Sequence, residues 1–275
     1  MNVLDCKSIS VLMNGIVEGQ SLRSLERMTG VHHDTIARWM VRVGAACQQA
    51  TDKHIRNVSL RYVQADEMWS FIGKKDNNFE FMGDVSNGYK GEVWVFIAID
   101  ADSKLVLSYA LGNRDRETAY RFLRDLRSRI AGPFQLTTDG FSGYVAAAYQ
   151  NLMTLSEVDF GKMVKIYEGN QVVATRPTVI FGHPNVEKIS TSYVERNNLT
   201  VRMNSRRFNR KTIAFSKKAA NHLAALQLHF ANYNFCRTHR SLKMPPALAA
   251  GITDHIWTMD ELVEPAWKAF AVDTQ

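Results

Sequence analysis

The sequence predicts an α/β protein in which a mixed sheet is flanked by helices and preceded by a small all-α region. Apolar residues recur at helical spacing through the first fifty residues, and from about residue 58 short β-forming runs alternate with amphipathic helices. The hydrophobic content of 45% and the charged content of 22% are those of an ordinary globular protein. With 275 residues, the chain is long enough for one large domain and a small one.

The charge balance favours a polyanionic partner, because 34 lysines and arginines outnumber 27 aspartates and glutamates, for a net charge of +7. The apolar run 93–99 is too short to cross a bilayer and predicts a buried strand. No basic segment leads into a long apolar stretch at the N-terminus, so we expect no signal peptide. Cys6, Cys47 and Cys236 are far apart, which suits a reducing cytosol and offers no paired zinc ligands. We therefore expect a cytoplasmic protein.

The all-α region predicts three helices with the pattern of a helix-turn-helix. Ser21 is a suitable N-cap for a short second helix, Gly30 provides a turn, and a longer third helix follows. Five residues on its outward face could contact phosphates or base edges in a major groove: His32, His33, Thr35, Arg38 and Arg42. A small helical dimerisation module is the alternative, but the spacing around the glycine turn favours DNA binding.

The rest of the chain predicts three strands, a helix, a strand, a helix, a strand and then helices. Strands are expected over residues 59–70, 92–100, 104–111, 134–138 and 163–167. Helices are expected over residues 119–130, 142–150, 191–205 and 216–235. This is the element order of an RNase H-like fold. We accordingly predict a helix-turn-helix domain over residues 1–50, an RNase H-like domain over 58–240 and a C-terminal extension over 241–275.

Three acids occupy positions that a two-metal site would use. Asp66 lies late in the first strand, Asp139 ends the fourth strand, and Glu195 opens a helix. In-line attack on a phosphodiester uses a pair of divalent cations held by carboxylates that converge from different elements. Each acid alone has a simpler explanation, as a solvated strand residue, a turn residue or a helix N-terminal charge. Together they predict a site for two Mg²⁺ or Mn²⁺ ions.

Other acids receive simpler interpretations. Glu67 adjoins Asp66, and strand alternation is expected to send it to the opposite face of the sheet. Asp100 and Asp102 flank a predicted hairpin and are interpreted as turn residues. Asp84 is interpreted as a loop residue.

The segment 195–218 is strongly basic, with one acid, Glu195. Its positive residues are Arg196, Arg202, Arg206, Arg207, Arg210, Lys211, Lys217 and Lys218. A solvated helix face is the usual explanation of a charge run, but such a face normally mixes signs. A one-signed stripe suits contacts with DNA phosphates, and Arg202, two helical turns after Glu195, is expected to share its face. His239 could contact DNA or be structural.

Four segments resemble transposases of the IS1 insertion-sequence family, and the resemblance extends across nearly the whole chain. They are Asp-Glu-Met-Trp-Ser-Phe at 66–71, Thr-Asp-Gly-Phe-Ser-Gly-Tyr at 138–144, Val-Glu-Arg-Asn-Asn-Leu-Thr-Val-Arg at 194–202, and Tyr-Asn-Phe-Cys-Arg-Thr-His at 233–239. Any one of them would be weak alone, whereas together they are specific.

The resemblance implies a DDE-type RNase H-like core that uses Mg²⁺ or Mn²⁺ to cleave the ends of a mobile element and join them to target DNA. It implies that Asp66, Asp139 and Glu195 are the metal ligands. It matches Arg202 to the basic residue seven positions after the glutamate, and Asn198 and His239 are expected to support the site. The implied partners are double-stranded DNA, as terminal repeats and target, and further copies of the chain in a homo-oligomer.

One departure concerns the N-terminus, where members of this family often carry a cysteine-paired zinc-binding segment that this sequence lacks. The resemblance therefore supports the three acids more strongly than it supports recognition of terminal repeats. Two alternatives stay open: a catalytically silent DNA-binding regulator of the element, and a structure-specific RNase H-like nuclease. Metal-dependent cleavage of DNA would distinguish a transposase from the regulator. Joining of 3′ ends to target DNA would distinguish a transposase from the nuclease.

Overall fold

The structure is a computed structural model that describes residues 4–75, 90–153, 157–169 and 171–273. Asp84, which the sequence predicts as a loop residue, lies outside the described residues. The chain divides into two compact units. The helical unit comprises residues 1–54, 70–92 and 200–275, and the sheet unit comprises residues 55–69 and 93–199.

The main sheet has the strand order β4-β3-β2-β6-β7-β8. The strands of the described residues are β1 Val58–Ser59, β2 Tyr62–Ile72, β3 Gly91–Asp100, β4 Val106–Gly112, β5 Ile130–Ala131, β6 Phe134–Thr138, β7 Val158–Glu168 and β8 Gln171–Phe181. β6 pairs in parallel with both β2 and β7, whereas β3–β4 and β7–β8 are antiparallel. β1 and β5 form a separate short parallel pair. The sheet is therefore mixed, as the sequence predicts.

Helices complete both units. They are α1 Cys6–Val17, α2 Leu22–Thr29, α3 His33–His54, α4 Arg116–Arg129, α5 Ser142–Asn151, α6 Ser192–Asn204, α7 Ala219–Ala231, α8 Pro246–Ala249 and α9 Met259–Asp273. Two predicted helix starts are explained by capping, because Ser21 accepts a hydrogen bond from Ser24 N and Asp115 accepts one from Thr118 N. Within the described ranges, no helix combines the length and apolarity that crossing a membrane requires.

In the sheet unit, aromatic side chains fill the space between β3, α4 and α5. Phe96, Phe122 and Tyr144 are fully buried, and their ring centroids lie 5.7 to 6.3 Å apart. Phe141 joins the group, 5.6 Å from Tyr144. This apolar layer fixes the segment that follows β6, in which Asp139 lies.

In the helical unit, the first three helices pack with later parts of the chain. α3 contacts α7 and α9, and α1 contacts α9. A Cβ on Gly44 would lie 2.8 Å from the Ala224 backbone, so only glycine permits this approach of α3 to α7. Gly30, with φ of 73°, ends α2 in the left-handed conformation that favours glycine. Residues 1–50 therefore pack as part of the larger helical unit. The division of the chain into domains over 1–50, 58–240 and 241–275 remains a prediction.

Three local features differ from the sequence prediction. β8, with Val172 and Val173 about half exposed, is a strand that the alternation pattern did not predict. The helix expected over 216–235 is divided into α7 and a π-helical turn, Asn232–Cys236. The basic segment is only partly helical, because α6 ends at Asn204 and a short 3₁₀ turn follows. Its charges are therefore not one continuous helix face.

Buried histidines in the helical unit predict loss of stability in mild acid. Burial lowers the pKa of His222 to about 3 from an ordinary value of 6.5, and its ring nitrogens lie 3.0 Å from Ser70 Oγ and 3.1 Å from Ser216 Oγ. Between these two pKa values the unfolded chain binds a proton that the folded chain does not, so stability falls as the pH drops below about 6.5. From pH 7 to pH 5 we expect this histidine to lower the free energy of unfolding by about 2 kcal/mol.

Urea unfolding at pH 7 and pH 5 measures this difference. The change between the two pH values should shrink in His222→Gln, and it should be unchanged in His183→Gln, which alters an exposed histidine. An equal pH dependence in His222→Gln and the unaltered chain would show that His222 is not the group responsible.

Candidate metal centre

Parallel pairing of β2 and β6 brings the first two predicted acids together. In this register Ala65 is paired with Thr138, so Asp66, the next residue of β2, lies beside Asp139, the residue that follows β6. Phe141 N donates a hydrogen bond to Asp139 Oδ1 at 3.0 Å, which fixes the carboxylate in the turn after β6. The two aspartates, remote in sequence, are therefore neighbours because of strand register.

Glu67 also belongs to this site, contrary to the sequence prediction. Carboxylate oxygens of Asp66, Glu67 and Asp139 all lie within 4.8 Å of one another. The expectation that Glu67 faces away was wrong, because alternation predicts the direction of Cβ and not where a longer side chain ends. The Glu67 side chain is only 1% exposed. These three residues are called the acid cluster below.

Arg114 is the cation that accompanies the acid cluster. Its Nε donates to Glu67 Oε1 at 2.6 Å, and its Nη2 lies 3.8 Å from Asp139 Oδ2. The guanidinium lies over two rings, 5.0 Å from the Trp94 centroid and 4.6 Å from the Phe141 centroid. Aromatic faces attract a guanidinium and restrict its position. Arg114 is thus held beside Asp139 while its principal hydrogen bond goes to Glu67.

The environment of the acid cluster disfavours negative charge. Burial, followed by the charges of Asp139 and Glu67, raises the pKa of Asp66 to about 7. Burial likewise raises the pKa of Glu67, and Arg114 acts in the opposite direction. Glu67 Oε2 is a buried oxygen without a hydrogen-bond partner. Three crowded carboxylates, one with an unsatisfied oxygen, are the donor set that a hard divalent cation prefers, so the residues present fit the metal that the sequence predicts.

Glu195, the third predicted ligand, lies outside the acid cluster as the described residues are arranged. Lys165 Nζ donates to its Oε1 at 2.7 Å, and Thr191 Oγ1 donates to the same oxygen at 2.9 Å. Asn198, one helical turn later, donates from Nδ2 to Asp66 Oδ2 at 2.8 Å. α6 therefore runs beside β2, with Asn198 on Asp66 and Glu195 held by a lysine from β7.

Sequence reasoning did not assign a role to Arg114, Tyr144 or Lys165. Tyr144 is fully buried, and burial followed by the charge of Glu67 raises its pKa well above its ordinary value. Tyr144 carried a partial signal, since it ends the Thr-Asp-Gly-Phe-Ser-Gly-Tyr motif. Arg114 and Lys165 carried none, because their roles arise from tertiary contacts.

The predicted DNA-contacting residues of α3 are near the start of the helix and partly engage one another. Arg38 Nη2 donates to Thr35 Oγ1 at 3.0 Å, and both His33 N and His33 Nδ1 contact Glu26. The Arg42 guanidinium lies 4.2 Å from the Phe270 ring centroid. Arg38 and Arg42 are exposed.

The basic segment separates into exposed residues and residues engaged within the helical unit. The exposed members are Arg196, Arg206, Arg210, Lys211, Lys217 and Lys218. Arg207 donates from Nη1 to Ser216 Oγ and to Asn221 O, both at 3.2 Å, and burial lowers its pKa to about 10. Arg202 donates to Phe208 O. His239 Nδ1 lies 3.1 Å from Ser241 Oγ. Arg202 and Arg207 thus have internal partners in addition to any role at DNA.

We expect Glu67→Gln to weaken divalent metal binding by about 10-fold or more, the usual effect of losing a supporting residue. The neutral side chain releases Arg114, which would then pair with Asp139 and compete with the metal. Isothermal titration of Mn²⁺ measures the effect without an activity assay. Adding Arg114→Gln should restore binding, while Arg121→Gln, in α4, is the charge-matched control. Unchanged Mn²⁺ affinity in Glu67→Gln, or no recovery in the double variant, would contradict this role of Glu67.

Parts of the chain are similar to known proteins. No protein-family model matches the sequence. The insertion element iso-IS1n protein InsB of Shigella dysenteriae is 27% identical over 159 residues, which are 58% of this chain and 86% of that protein. The Mos1 strand transfer complex aligns with 56% of this chain and 57% of the Mos1 chain, at 15% identity and a TM-score of 0.25. The piggyBac transposase synaptic complex with hairpin DNA aligns with 96% of this chain and 70% of the piggyBac chain, at 9% identity and a TM-score of 0.40. By sequence, the chain is a relative of an IS1-type insertion-element protein, as its motifs predict.

Proposed function

We propose that the protein is a DDE transposase of an insertion sequence, with an RNase H-like catalytic core. The observation that carries this proposal is the acid cluster beside the last paired residues of β2 and β6, with α6 tethered to it by Asn198. The strand order β4-β3-β2-β6-β7, with β3 and β4 antiparallel and β6 parallel to both β2 and β7, supports the RNase H-like assignment. The similarity to an insertion-element protein supports the biological setting.

In this proposal Asp66 and Asp139 hold the metal ions, and Glu195 completes the site. Bound divalent cations would supply Lewis acidity to the attacking and leaving oxygens of the phosphodiester. Asn198 orients the Asp66 carboxylate through its hydrogen bond, and Lys165 holds the Glu195 carboxylate until substrate and metal are present. Arg114, kept on Glu67, stays beside Asp139 without occupying it. The pairing of Glu195 with Lys165 implies that this carboxylate moves when the site is assembled.

DNA binding in this proposal uses exposed basic residues, including Arg196, Arg206, Arg210 and Lys211, and the helix-turn-helix formed by α2, Gly30 and α3. Phosphate contacts by lysine and arginine release counterions and give affinity that depends on salt. His33, Thr35, Arg38 and Arg42 are proposed to contact the DNA from α3, and His239 to support binding. Because a transposase acts on two element ends, we propose a homo-oligomer assembled on paired terminal repeats and target DNA.

Asp139→Asn should reduce metal-dependent cleavage of element-end DNA by more than about 100-fold, because it removes a ligand charge from the acid cluster. The substrate is a duplex carrying the inverted repeats that flank the gene, and the products are cut ends and 3′ ends joined to a target plasmid. Asp102→Asn, in the exposed hairpin turn, is the control and should retain full activity. Identical activity of Asp139→Asn and wild type would overturn the site assignment.

The same assay separates the alternatives. Specific binding of the repeats without cleavage by the unaltered protein would identify a silent regulator. Hydrolysis without joining would identify a structure-specific nuclease. Cleavage and joining in Mg²⁺ or Mn²⁺ support the transposase.

Arg38→Gln tests the helix-turn-helix. Loss of one DNA contact should weaken binding of element-end duplex by roughly 10-fold, within the 1–3 kcal/mol of a base contact. Fluorescence anisotropy at two salt concentrations measures affinity and salt dependence, with Lys268→Gln on α9 as control. If both variants bind like wild type, α3 is not the recognition helix.

A further inference from the structure

The turn between α2 and α3 brings two imidazoles and one carboxylate to a single point. Glu26 Oε1 lies 3.0 Å from His33 Nδ1 and 3.7 Å from His32 Nε2. The three potential ligand atoms all lie within 4.8 Å of one another. This group is in the helical unit, whereas the acid cluster belongs to the sheet unit.

These separations are close to those of ligands around a tetrahedral transition-metal ion. Nitrogen and oxygen ligands lie about 2.0–2.1 Å from Zn²⁺, so two of them at the tetrahedral angle are about 3.3 Å apart. The distances of 3.0 Å and 3.7 Å from Glu26 Oε1 lie on either side of that value. Small side-chain rotations of His32, which is 60% exposed, would therefore complete three ligand positions.

The surrounding residues orient the three side chains. Arg23 Nη1 donates to Glu26 Oε2 at 2.9 Å, which leaves Oε1 directed at the imidazoles. Asp34 lies behind both rings, because its Oδ1 is 3.5 Å from His33 Nε2 and its backbone amide donates a hydrogen bond to His32 Nδ1 at 3.3 Å. These contacts restrain the orientation of the two imidazole rings.

Two imidazoles and one carboxylate suit zinc, cobalt or nickel, whereas magnesium prefers oxygen ligands. The partial exposure of the group leaves room for water at a fourth position. We propose that Glu26, His32 and His33 form a binding site for a transition-metal ion such as Zn²⁺.

A metal at this site would join the last turn of α2 to the start of α3. His33 would then act as a metal ligand in place of the direct DNA contact proposed for it above, and Thr35, Arg38 and Arg42 would keep their proposed DNA contacts. The ion would bind the folded chain in preference to the unfolded one, and would therefore raise the thermal midpoint of unfolding. This site is independent of the proposed strand cleavage.

The test uses the full-length chain with Asp66→Asn and Asp139→Asn, which removes metal binding by the acid cluster. Titration with Co²⁺ should produce visible absorption that saturates at one ion per chain and is displaced by Zn²⁺. His32→Ala and Glu26→Gln should each weaken binding by about 10-fold or more. His255→Ala is the matched control, because His255 lies 2.6 Å from Asp254 and 2.8 Å from Glu261 but belongs to no three-ligand group among the residues that the structure describes.

Each outcome decides the proposal. Loss of Co²⁺ binding in His32→Ala, with an unchanged circular dichroism spectrum and unchanged binding in His255→Ala, supports it. No Co²⁺ binding by the parent chain, equal affinity in His32→Ala, or loss of binding in His255→Ala would overturn it. The element-end cleavage assay is not a readout here, so failure of the transposase proposal would leave this result unaffected.

Discussion

Crowding of like charges at β2 and β6 is the constraint on which the candidate site depends. Asp66 on β2 and Asp139 just after β6 each follow the last paired residues of the two strands, and Glu67 brings a third carboxylate to the same place. Burial and mutual repulsion make this arrangement unfavourable without a cation. Arg114 supplies one positive charge, but Glu67 Oε2 remains unsatisfied. The fold therefore maintains a site whose electrostatics favour an incoming divalent ion.

Neighbouring groups limit the cost of this crowding without neutralising it. Asn198 donates a hydrogen bond to Asp66 and adds no charge, and the Phe141 amide does the same for Asp139. Trp94 and Phe141 hold Arg114 by their ring faces, which restrains it from closing on Asp139. Because neutral donors orient the two aspartates and the Arg114 cation is restrained, carboxylate oxygens remain available to bind a metal ion.

The sequence predicts a strand of the sheet well where a β-forming run of residues ends at a turn residue. The strand expected over 134–138 matches β6, and the aspartate that follows it is fixed by the turn. Glu67 was misassigned because a two-residue alternation does not describe where a long side chain ends. Arg114 could not be found, since its partners come from β2, β3 and the turn after β6. β8 was missed because its half-exposed valines lack a buried face to set an alternating pattern.

Ligand chemistry distinguishes the acid cluster from the Glu26–His32–His33 group. The acid cluster offers only carboxylate oxygens in a buried setting, and such ligands favour a hard cation such as Mg²⁺. The second offers two imidazole nitrogens, which bind zinc-like ions far better than magnesium. In these proposals the acid cluster serves phosphoryl transfer, whereas the Glu26–His32–His33 group fixes the turn between α2 and α3.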